Sequence, residues 1–351
     1  MLGTLLSDDL PRSRVLTALL LLIALGLALA PFAFPGIRSL NTAATICIFI
    51  VLVASYDLLL GYTGIVSFAH TMFFGIGAYG VALALRAFPA SWLAVGLGAA
   101  AGLVLAMALA LLIGLFALRV QAIFFAMVTL AVASAFLILA SQLSGFTGGE
   151  DGVTYRVPRE LSPAFRLVDG PVLGVRIDGR IVRYYLLFGA ALALVLAMLR
   201  IVNSPFGRVL QAIRENPFRA EALGYRTALY RTGATCLSAG AAALAGVLMA
   251  LWTKYTGPDT TLSLSIMIDI LLMVVIGGMG TIYGAVIGAT LFVLAKNYLQ
   301  VLMASAAEAT AGVPLVADLV SPERWLLWLG ILFVLSVYFF PTGIVGRLRD
   351  R

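Results

Sequence analysis

Runs of about twenty apolar residues recur along this chain and constrain its fold more than any other feature of the sequence. A helix needs ~20 such residues to cross a bilayer, because backbone amides cannot hydrogen-bond to lipid and must be satisfied within the segment. Only 11% of the residues are charged and 62% are hydrophobic, whereas an ordinary soluble domain has ~25% charged residues. We therefore predict an all-α integral membrane protein, with residues 1–351 forming a single transmembrane domain.

Charges and turn residues divide these runs into about ten predicted transmembrane helices, although nine or eleven also fit. They lie near residues 14–31, 39–60, 70–86, 91–117, 120–141, 183–201, 233–253, 265–279, 281–303 and 323–340. Gly61, Gly64 and Ser67 predict a break after the second helix. The segment 277–280 predicts either a tight hairpin or a kink within one long helix. Since the glycine-rich stretches 61–79 and 277–296 occupy similar places in the two halves, we consider a diverged repeat.

The distribution of lysine and arginine between the connections predicts the orientation of the chain. With the amino terminus inside, twelve of these residues lie on the cytoplasmic side and ten outside. Six of the ten belong to the 142–182 connection or its edge, where acidic residues balance them, so we expect both termini inside. The first helix lacks a small-x-small cleavage pattern, and we expect it to be retained. The net charge of +7 suits anionic lipid, and nothing resembles a nucleic-acid-binding module.

The outer connection, 142–182, is rich in glycine and proline, which predicts turns. Near-alternation of apolar residues over 172–177 predicts a hairpin or a short helix that caps the outer mouth. A connection of ~40 residues is longer than most, and such connections are often functional. It either docks a partner or acts as a lid, or it is a passive loop.

The inner connection, 203–232, predicts two short amphipathic helices that are too polar to span. Ser204 is placed to cap the first helix, Asn216-Pro217 to break it, and Gly224 to end the second. The residues predicted to share one apolar face are Val209, Leu210, Ile213 and Phe218. Such a segment either lies on anionic lipid or seats in a groove of a soluble partner and transmits its movement.

The sequence contains no energy source or catalytic centre of its own. Neither lysine follows a glycine, so there is no phosphate-binding loop, and ATP hydrolysis would have to occur on another chain. One histidine and scattered carboxylates cannot make a metal site or an enzyme centre. We predict a transport subunit without catalytic residues, metal or cofactor.

Four segments carry a family resemblance. The run from Gly61 through His70 to Tyr79 resembles the signature of the LivH/LivM permease family of branched-chain amino-acid ABC importers. The segments 147–152, 204–216 and 276–289 resemble that family's outer-loop motif, its cytoplasmic coupling segment and its second glycine-rich stretch. These matches occur in order over most of the chain, and the long outer connection favours the LivM branch.

The resemblance implies a permease in the bacterial inner membrane that works by alternating access. Its expected partners are a second, LivH-like permease subunit, two cytoplasmic ABC ATPase subunits and an extracytoplasmic solute-binding protein. The implied cargo is a branched-chain amino acid, while urea, a short amide or an aromatic acid stay open. The alternative function is an ion-coupled secondary transporter of small polar solutes.

The resemblance and the spacing of polar groups together select the candidate site residues. Those predicted to couple to the ATPase are Arg208, Arg214, Glu215, Asn216, Glu221 and Gly224. Those predicted to line the translocation path are Gly61, Tyr62, Gly64, Ser67, His70, Gly75, Gly77, Tyr79, Gly277, Gly278 and Gly280. The Glu-Ala-Ala…Gly motif of the wider importer class is present only in truncated form at 221–224, which leaves the individual contact residues open.

Few ionisable residues lie within the predicted helices, and each is a functional candidate because burying a lone charge is costly. If 265–279 and 281–303 form a hairpin, Asp269 and Lys296 both lie ~6–11 Å below its outer end. We predict that they form a structural ion pair, with contact to a zwitterionic substrate as the alternative. Asp57 is expected to cap or brace the broken segment that follows it.

Overall fold

The computed structural model describes residues 13–34, 36–117, 122–172, 175–309, 321–340 and 342–349. The long helices are α1 (Arg14–Ala33), α2 (Ile37–Thr63), α3 (His70–Ala87), α4 (Trp92–Ala117), α5 (Ala122–Gln142), α7 (Gly179–Val202), α10 (Thr227–Thr253), α12 (Leu264–Gly277), α13 (Ile282–Ala309) and α14 (Trp325–Phe339). The short helices are α6 (Ser144–Thr147), α8 (Pro205–Glu215), α9 (Pro217–Ala222), α11 (Pro258–Thr261) and α15 (Gly343–Arg349). Short 3₁₀ turns cover Gly149–Asp151, Arg159–Leu161 and Pro322–Arg324.

Among the described residues, nine helical segments are long and apolar enough to cross a bilayer. The helix α3 is not one of them, because it carries His70, Thr71 and several glycines, but its 18 residues extend for ~27 Å. The all-α membrane fold is therefore confirmed. The nine segments and α3 together correspond to the ten helices that the sequence predicts.

The most enclosed helix is α2, which contacts α7, α10, α12 and α13. In the most apolar 18-residue stretch of α2, 83% of the residues are buried, whereas the corresponding fraction in α1 is 17%. Small and β-branched side chains such as Ala44, Val51 and Ala54, all fully buried, let neighbouring helices approach closely. A helix surrounded by protein in this way is a structural axis rather than a lipid-facing wall.

Glycines provide the closest contact between α3 and α10. A methyl group on Gly77 would overlap the backbone of Ala243, and one on Gly246 would overlap the carbonyl of Phe74. Helices without a hydrophobic driving force between them associate through such close backbone packing. This contact explains part of the glycine-rich pattern after residue 70 without any role in transport.

The segment 277–280 forms a tight hairpin rather than a kink, so that alternative is settled. The helix α12 ends at Gly277, and α13 begins at Ile282. Gly284 packs against Gly277, and Gly288 packs against the carbonyl of Met273. The predicted ends of these helices, 279 and 303, are wrong, because α12 stops two residues earlier and α13 continues to Ala309.

The outer connection is a folded segment, as predicted, but it ends at residue 178. Strands β2 (Arg166–Val172) and β3 (Val175–Asp178) form an antiparallel hairpin. Asp178 caps α7 by accepting from the Arg180 and Ile181 amides, so the helix begins four residues before the predicted start. Arg183, the first residue of the predicted helix, lies in α7 with its guanidinium 4.8 Å from the ring centre of Trp252.

A second pair of strands attaches this outer segment to the end of α10. Strand β1 (Val153–Thr154) pairs antiparallel with β4 (Tyr255–Thr256). The Tyr155 hydroxyl lies 2.9 Å from both the Ala250 carbonyl oxygen and the Thr256 hydroxyl. Burial raises the pKa of this phenol above its usual value, so it remains neutral and able to donate.

The two described ends of the chain lie on the same side of the bundle. Leu16, near the start of α1, packs with Val345 of α15 and with Ile287 near the start of α13. The described part of the chain contains ten long helices, an even number, which suits this arrangement. The location of both termini on the cytoplasmic side stays a prediction.

Candidate coupling junction and translocation path

The inner connection forms two helices whose ends are set by local side chains. The Ser204 hydroxyl accepts from the Gly207 amide at the start of α8. Asn216 ends α8 and caps α9, since its side-chain oxygen accepts from the Arg219 amide at 3.0 Å. Gly224 follows α9 with φ +92°, a left-handed conformation that favours glycine. The two-helix prediction is confirmed in both its elements and its caps.

One face of α8 is buried in the bundle and the other is open. Leu210 and Ile213 are fully buried, where α8 contacts α2, α7 and α10. Phe218 does not share this face, contrary to the prediction, because the break at Asn216-Pro217 redirects the chain. Its side chain is 82% exposed, so it is available to a neighbour.

An exposed apolar surface surrounds α9. We name it the α9 patch, which comprises Phe218, Leu223, Tyr225 and Leu229, with exposed fractions of 82%, 73%, 41% and 61%. All six predicted coupling residues are also exposed: Arg208, Arg214, Glu215, Asn216, Glu221 and Gly224. Exposed apolar groups bordered by polar ones mark contact sites for protein or membrane.

Glu221 is used within the chain itself. Its carboxylate accepts from the Thr227 hydroxyl at 2.6 Å, at the first residue of α10. Because α10 begins at Thr227, the connection covers 203–226 and ends six residues before the predicted boundary. Arg231, assigned to the loop, lies in the first turns of that helix.

Three elements meet where α8 reaches the core. The Arg214 guanidinium donates to the Gly61 carbonyl in the last turn of α2. The Asp57 carboxylate accepts from the Gly280 amide at 2.8 Å, in the turn between α12 and α13. A methyl group on Gly61 would overlap both the Asp57 carboxylate and the Gly280 amide. We name Asp57, Gly61, Arg214 and Gly280 the coupling junction. Asp57 bonds to the α12–α13 turn, whereas its expected bracing of the broken segment after α2 stays a prediction.

Most residues predicted to line the path are enclosed in the protein. The buried ones are Gly61, Tyr62, Ser67, His70, Gly75, Gly77, Tyr79, Gly277 and Gly278, while Gly280 is partly buried and Gly64 is exposed. His70 lies 2.9 Å from the Ser55 hydroxyl, which itself donates to the Leu52 carbonyl. The histidine Nε2 is therefore the donor, and the ring is held as a structural group. The role of the predicted path residues in translocation stays a prediction.

Asp269 and Lys296 lie side by side, with Oδ2 and Nζ 2.5 Å apart. Their side chains are 16% and 44% exposed, so the pair faces the outside of the bundle. Since α13 ends at Ala309, Lys296 lies thirteen residues, or ~20 Å, from that end, deeper than predicted. Contact with a substrate stays a prediction.

A polar pocket lies at the amino end of α2, and it is not predicted from the sequence. Its volume is about 420 Å³, and its lining comprises Ile37, Arg38, Asn41, Thr42, Thr45 and Asn297. The four polar positions on α2 recur at i, i+3, i+4 and i+7, the spacing of one helix face, which is a signal that the sequence already contains. Nothing in the spacing predicts that Asn297 joins them.

Other features of the described residues add no reactive centre. A second cavity, of about 330 Å³, lies between α1, α2, α7 and α13 and is lined almost wholly by apolar side chains. Both cysteines, Cys47 and Cys236, are free. No group of three or more metal-binding side chains occurs within the part of the chain that the structure describes.

Comparison with known proteins agrees with this architecture. Residues 38–337 match the family described as branched-chain amino acid transport system / permease component. The chain is 28% identical over 329 residues to the high-affinity branched-chain amino acid transport system permease protein LivM of Salmonella typhimurium, which covers 89% of this chain and 71% of the relative. No solved structure matches.

Two further relatives bear the same name. The LivM permease of Escherichia coli is 27% identical over 349 residues, covering 95% of this chain and 76% of the relative. A probable branched-chain amino acid transport permease protein LivM of Methanocaldococcus jannaschii is 30% identical over 148 residues, covering 42% of this chain and 41% of that one. Because the family match includes α2 through most of α14, the chain belongs to the permease family of branched-chain amino acid transport systems.

Proposed function

We propose that this permease pairs with a second permease subunit in an ABC importer of the bacterial inner membrane. It would carry branched-chain or related small amino acids that a binding protein delivers, and two cytoplasmic ATPase subunits would drive it. The relatives named above are branched-chain amino acid permeases, which supports the cargo class. The end that carries α8 and α9 would be cytoplasmic.

The coupling junction is the observation that carries this proposal. The helix α8 is short, capped at both ends and fixed to the bundle by two fully buried side chains. A displacement of α8 would act on α2 through the hydrogen bond between Arg214 and Gly61. Through α2 it would then reach the α12–α13 turn, since the Gly280 amide donates to Asp57.

The α9 patch supplies the surface for the driving partner. Phe218 and Leu223 project from the bundle, and a groove on a soluble subunit would bury them, as an amphipathic helix seats in a hydrophobic groove. Arg219 and Arg226, which are also exposed, would lie at the rim of such a contact. The competing occupant is the surface of the bilayer.

The contacts of the carboxylates in the long helices disfavour the alternative of an ion-coupled transporter. Asp57 accepts from a backbone amide, and Asp269 pairs with Lys296. Within the described helices neither carboxylate is placed beside another one, as a proton relay requires. The structure offers coupling through α8 instead.

Two variants separate docking from transmission. We expect Phe218→Ala to lose co-purification with the ATPase subunits, because a central aromatic group in a docking surface often contributes more than ~2 kcal/mol. Arg214→Gln should keep the ATPase bound but reduce ATP-driven uptake, since its guanidinium bonds to the Gly61 carbonyl of α2 and is not part of the α9 patch. Phe88→Ala, 56% exposed at the opposite end, is the matched control.

Two outcomes would contradict the proposal. A Phe218→Ala variant that retains its ATPase would place the α9 patch on lipid. Uptake that persists in vesicles with an ion gradient and no ATPase would establish the secondary-transporter function instead.

A further inference from the structure

The pocket lies at the outer end of α2, where it borders α13. The helix α13 continues twelve residues beyond Asn297 to Ala309, which is ~18 Å of helix. Arg38 and Asn41 are exposed at this level. Because charged and amide side chains are costly against hydrocarbon, this face is turned to water or protein rather than to lipid tails.

Arg38 is held in position by its neighbours without being neutralised by them. Its Nη2 donates to the Asn297 carbonyl at 2.8 Å, and its guanidinium lies 5.6 Å from the ring centre of Tyr298. The side-chain amide of Asn297 donates in turn to the Thr42 hydroxyl at 3.3 Å. Among the described carboxylates, none lies within ion-pairing distance of Arg38.

This arrangement leaves most of the guanidinium available to a ligand. An arginine has five N–H donors, and one hydrogen bond from it to another described residue is present. A planar guanidinium with free donors binds carboxylates in a bidentate manner. The Asn41 side chain, exposed one helical turn away, lies on the same face of α2.

We propose that this pocket receives the α-carboxylate of the amino-acid cargo as it enters the path, with Arg38 as the anion-binding group and Asn41 beside it. The proposal rests on the proposed function, which supplies the cargo class and the outer side. A volume of about 420 Å³ falls within the ~300–1,000 Å³ of small-molecule sites. A lipid phosphate would engage the same guanidinium, and the experiment separates the two.

The test is protection of an engineered cysteine in the assembled importer. Ile37→Cys, at the edge of the pocket, is introduced with Cys47→Ala and Cys236→Ala, and the complex is placed in phosphatidylcholine nanodiscs. The rate of labelling by a charged maleimide is measured with L-leucine and with L-leucinol, which lacks the carboxylate. Ala90→Cys, exposed in the α3–α4 connection, is the control position, and Thr45→Cys is a second reporter within the pocket.

We expect L-leucine to slow labelling of both pocket reporters several-fold, L-leucinol to have no effect, and Arg38→Gln to abolish the protection. Labelling of Ala90→Cys should not change. Equal protection by L-leucinol, no protection by L-leucine, or protection that survives Arg38→Gln would overturn the proposal.

Three additional outcomes complete the test. If phosphatidylglycerol alone protects the reporters through Arg38 and L-leucine adds nothing, the ligand is a lipid phosphate and the proposal is wrong. A complex that hydrolyses ATP yet shows no protection overturns this pocket while leaving the proposed function intact. Failure of the ATPase to assemble with unsubstituted permease would instead overturn the proposed function.

Discussion

The two ends of α2 differ in how closely they are packed. At its carboxyl end, Asp57 and Gly61 are in contact with Gly280 and Arg214, and there is no space for an added methyl group. At its amino end, Arg38 and its polar neighbours border an open pocket of about 420 Å³. Tight contact suits transmission of movement, because packed elements have few alternative arrangements, whereas an open polar pocket suits a transient ligand.

The largest expected effect on uptake and stability comes from adding a side chain at the closely packed carboxyl end of α2. Gly61→Ala should nearly abolish uptake and destabilise the protein by ~1–3 kcal/mol, because the added methyl group displaces the Asp57 carboxylate or the α12–α13 turn. Thermal unfolding in detergent and ATP-driven uptake measure the two effects. The control is Gly189→Ala in α7, where an added methyl group meets nothing within 4 Å. Equal behaviour of the two variants would show that the coupling junction tolerates movement.

A smaller loss of uptake is expected from removing the hydrogen-bond acceptor at the carboxyl end of α2. Asp57→Leu leaves the Gly280 amide unpaired, at a cost of ~1–3 kcal/mol. Asp57→Asn keeps an oxygen acceptor and should retain most of the stability and uptake. If the asparagine variant is as damaged as the leucine variant, the charge facing Arg214 matters more than the hydrogen bond.

The smallest effect is expected at the Asp269–Lys296 pair, which is partly exposed like the open end of α2. Its coupling energy in a double-mutant cycle of Asp269→Asn and Lys296→Gln should be ~1 kcal/mol, in the range of polar side-chain pairs between membrane helices. The measurement is the unfolding free energy of both single variants and the double variant. Near-complete loss of uptake in a fully stable single variant would indicate substrate contact instead.

Local chemistry made part of the structure predictable. The caps at Ser204 and Asn216 and the buried positions Leu210 and Ile213 follow from spacing within one helix. Phe218 was assigned to the wrong surface, because a periodicity argument fails when a proline break changes the direction of the chain. The early start of α10 at Thr227 escaped prediction since polar residues such as Arg231 can belong to a transmembrane helix when its end is outside hydrocarbon.

The arrangement of the candidate site depends on contacts between distant parts of the chain. Asp57 and Gly280 are 223 residues apart, and no local pattern predicts that the two glycine-rich segments meet. Arg38 and Asn297 are 259 residues apart, so the polar face of α2 was visible in the sequence while its partner on α13 was not. Residues of one helix face can be read from a sequence, but the residues that oppose them require the fold.

The attachments at the two ends of α10 give this helix a further property. Its first residue, Thr227, is hydrogen-bonded to Glu221 of α9, and β4, one residue after its end, pairs with β1 of the outer segment. A helix of 27 residues is a stiff rod ~40 Å long. A tilt of this rod would displace both surfaces of the permease at once, because the two surfaces are attached to a single rigid helix.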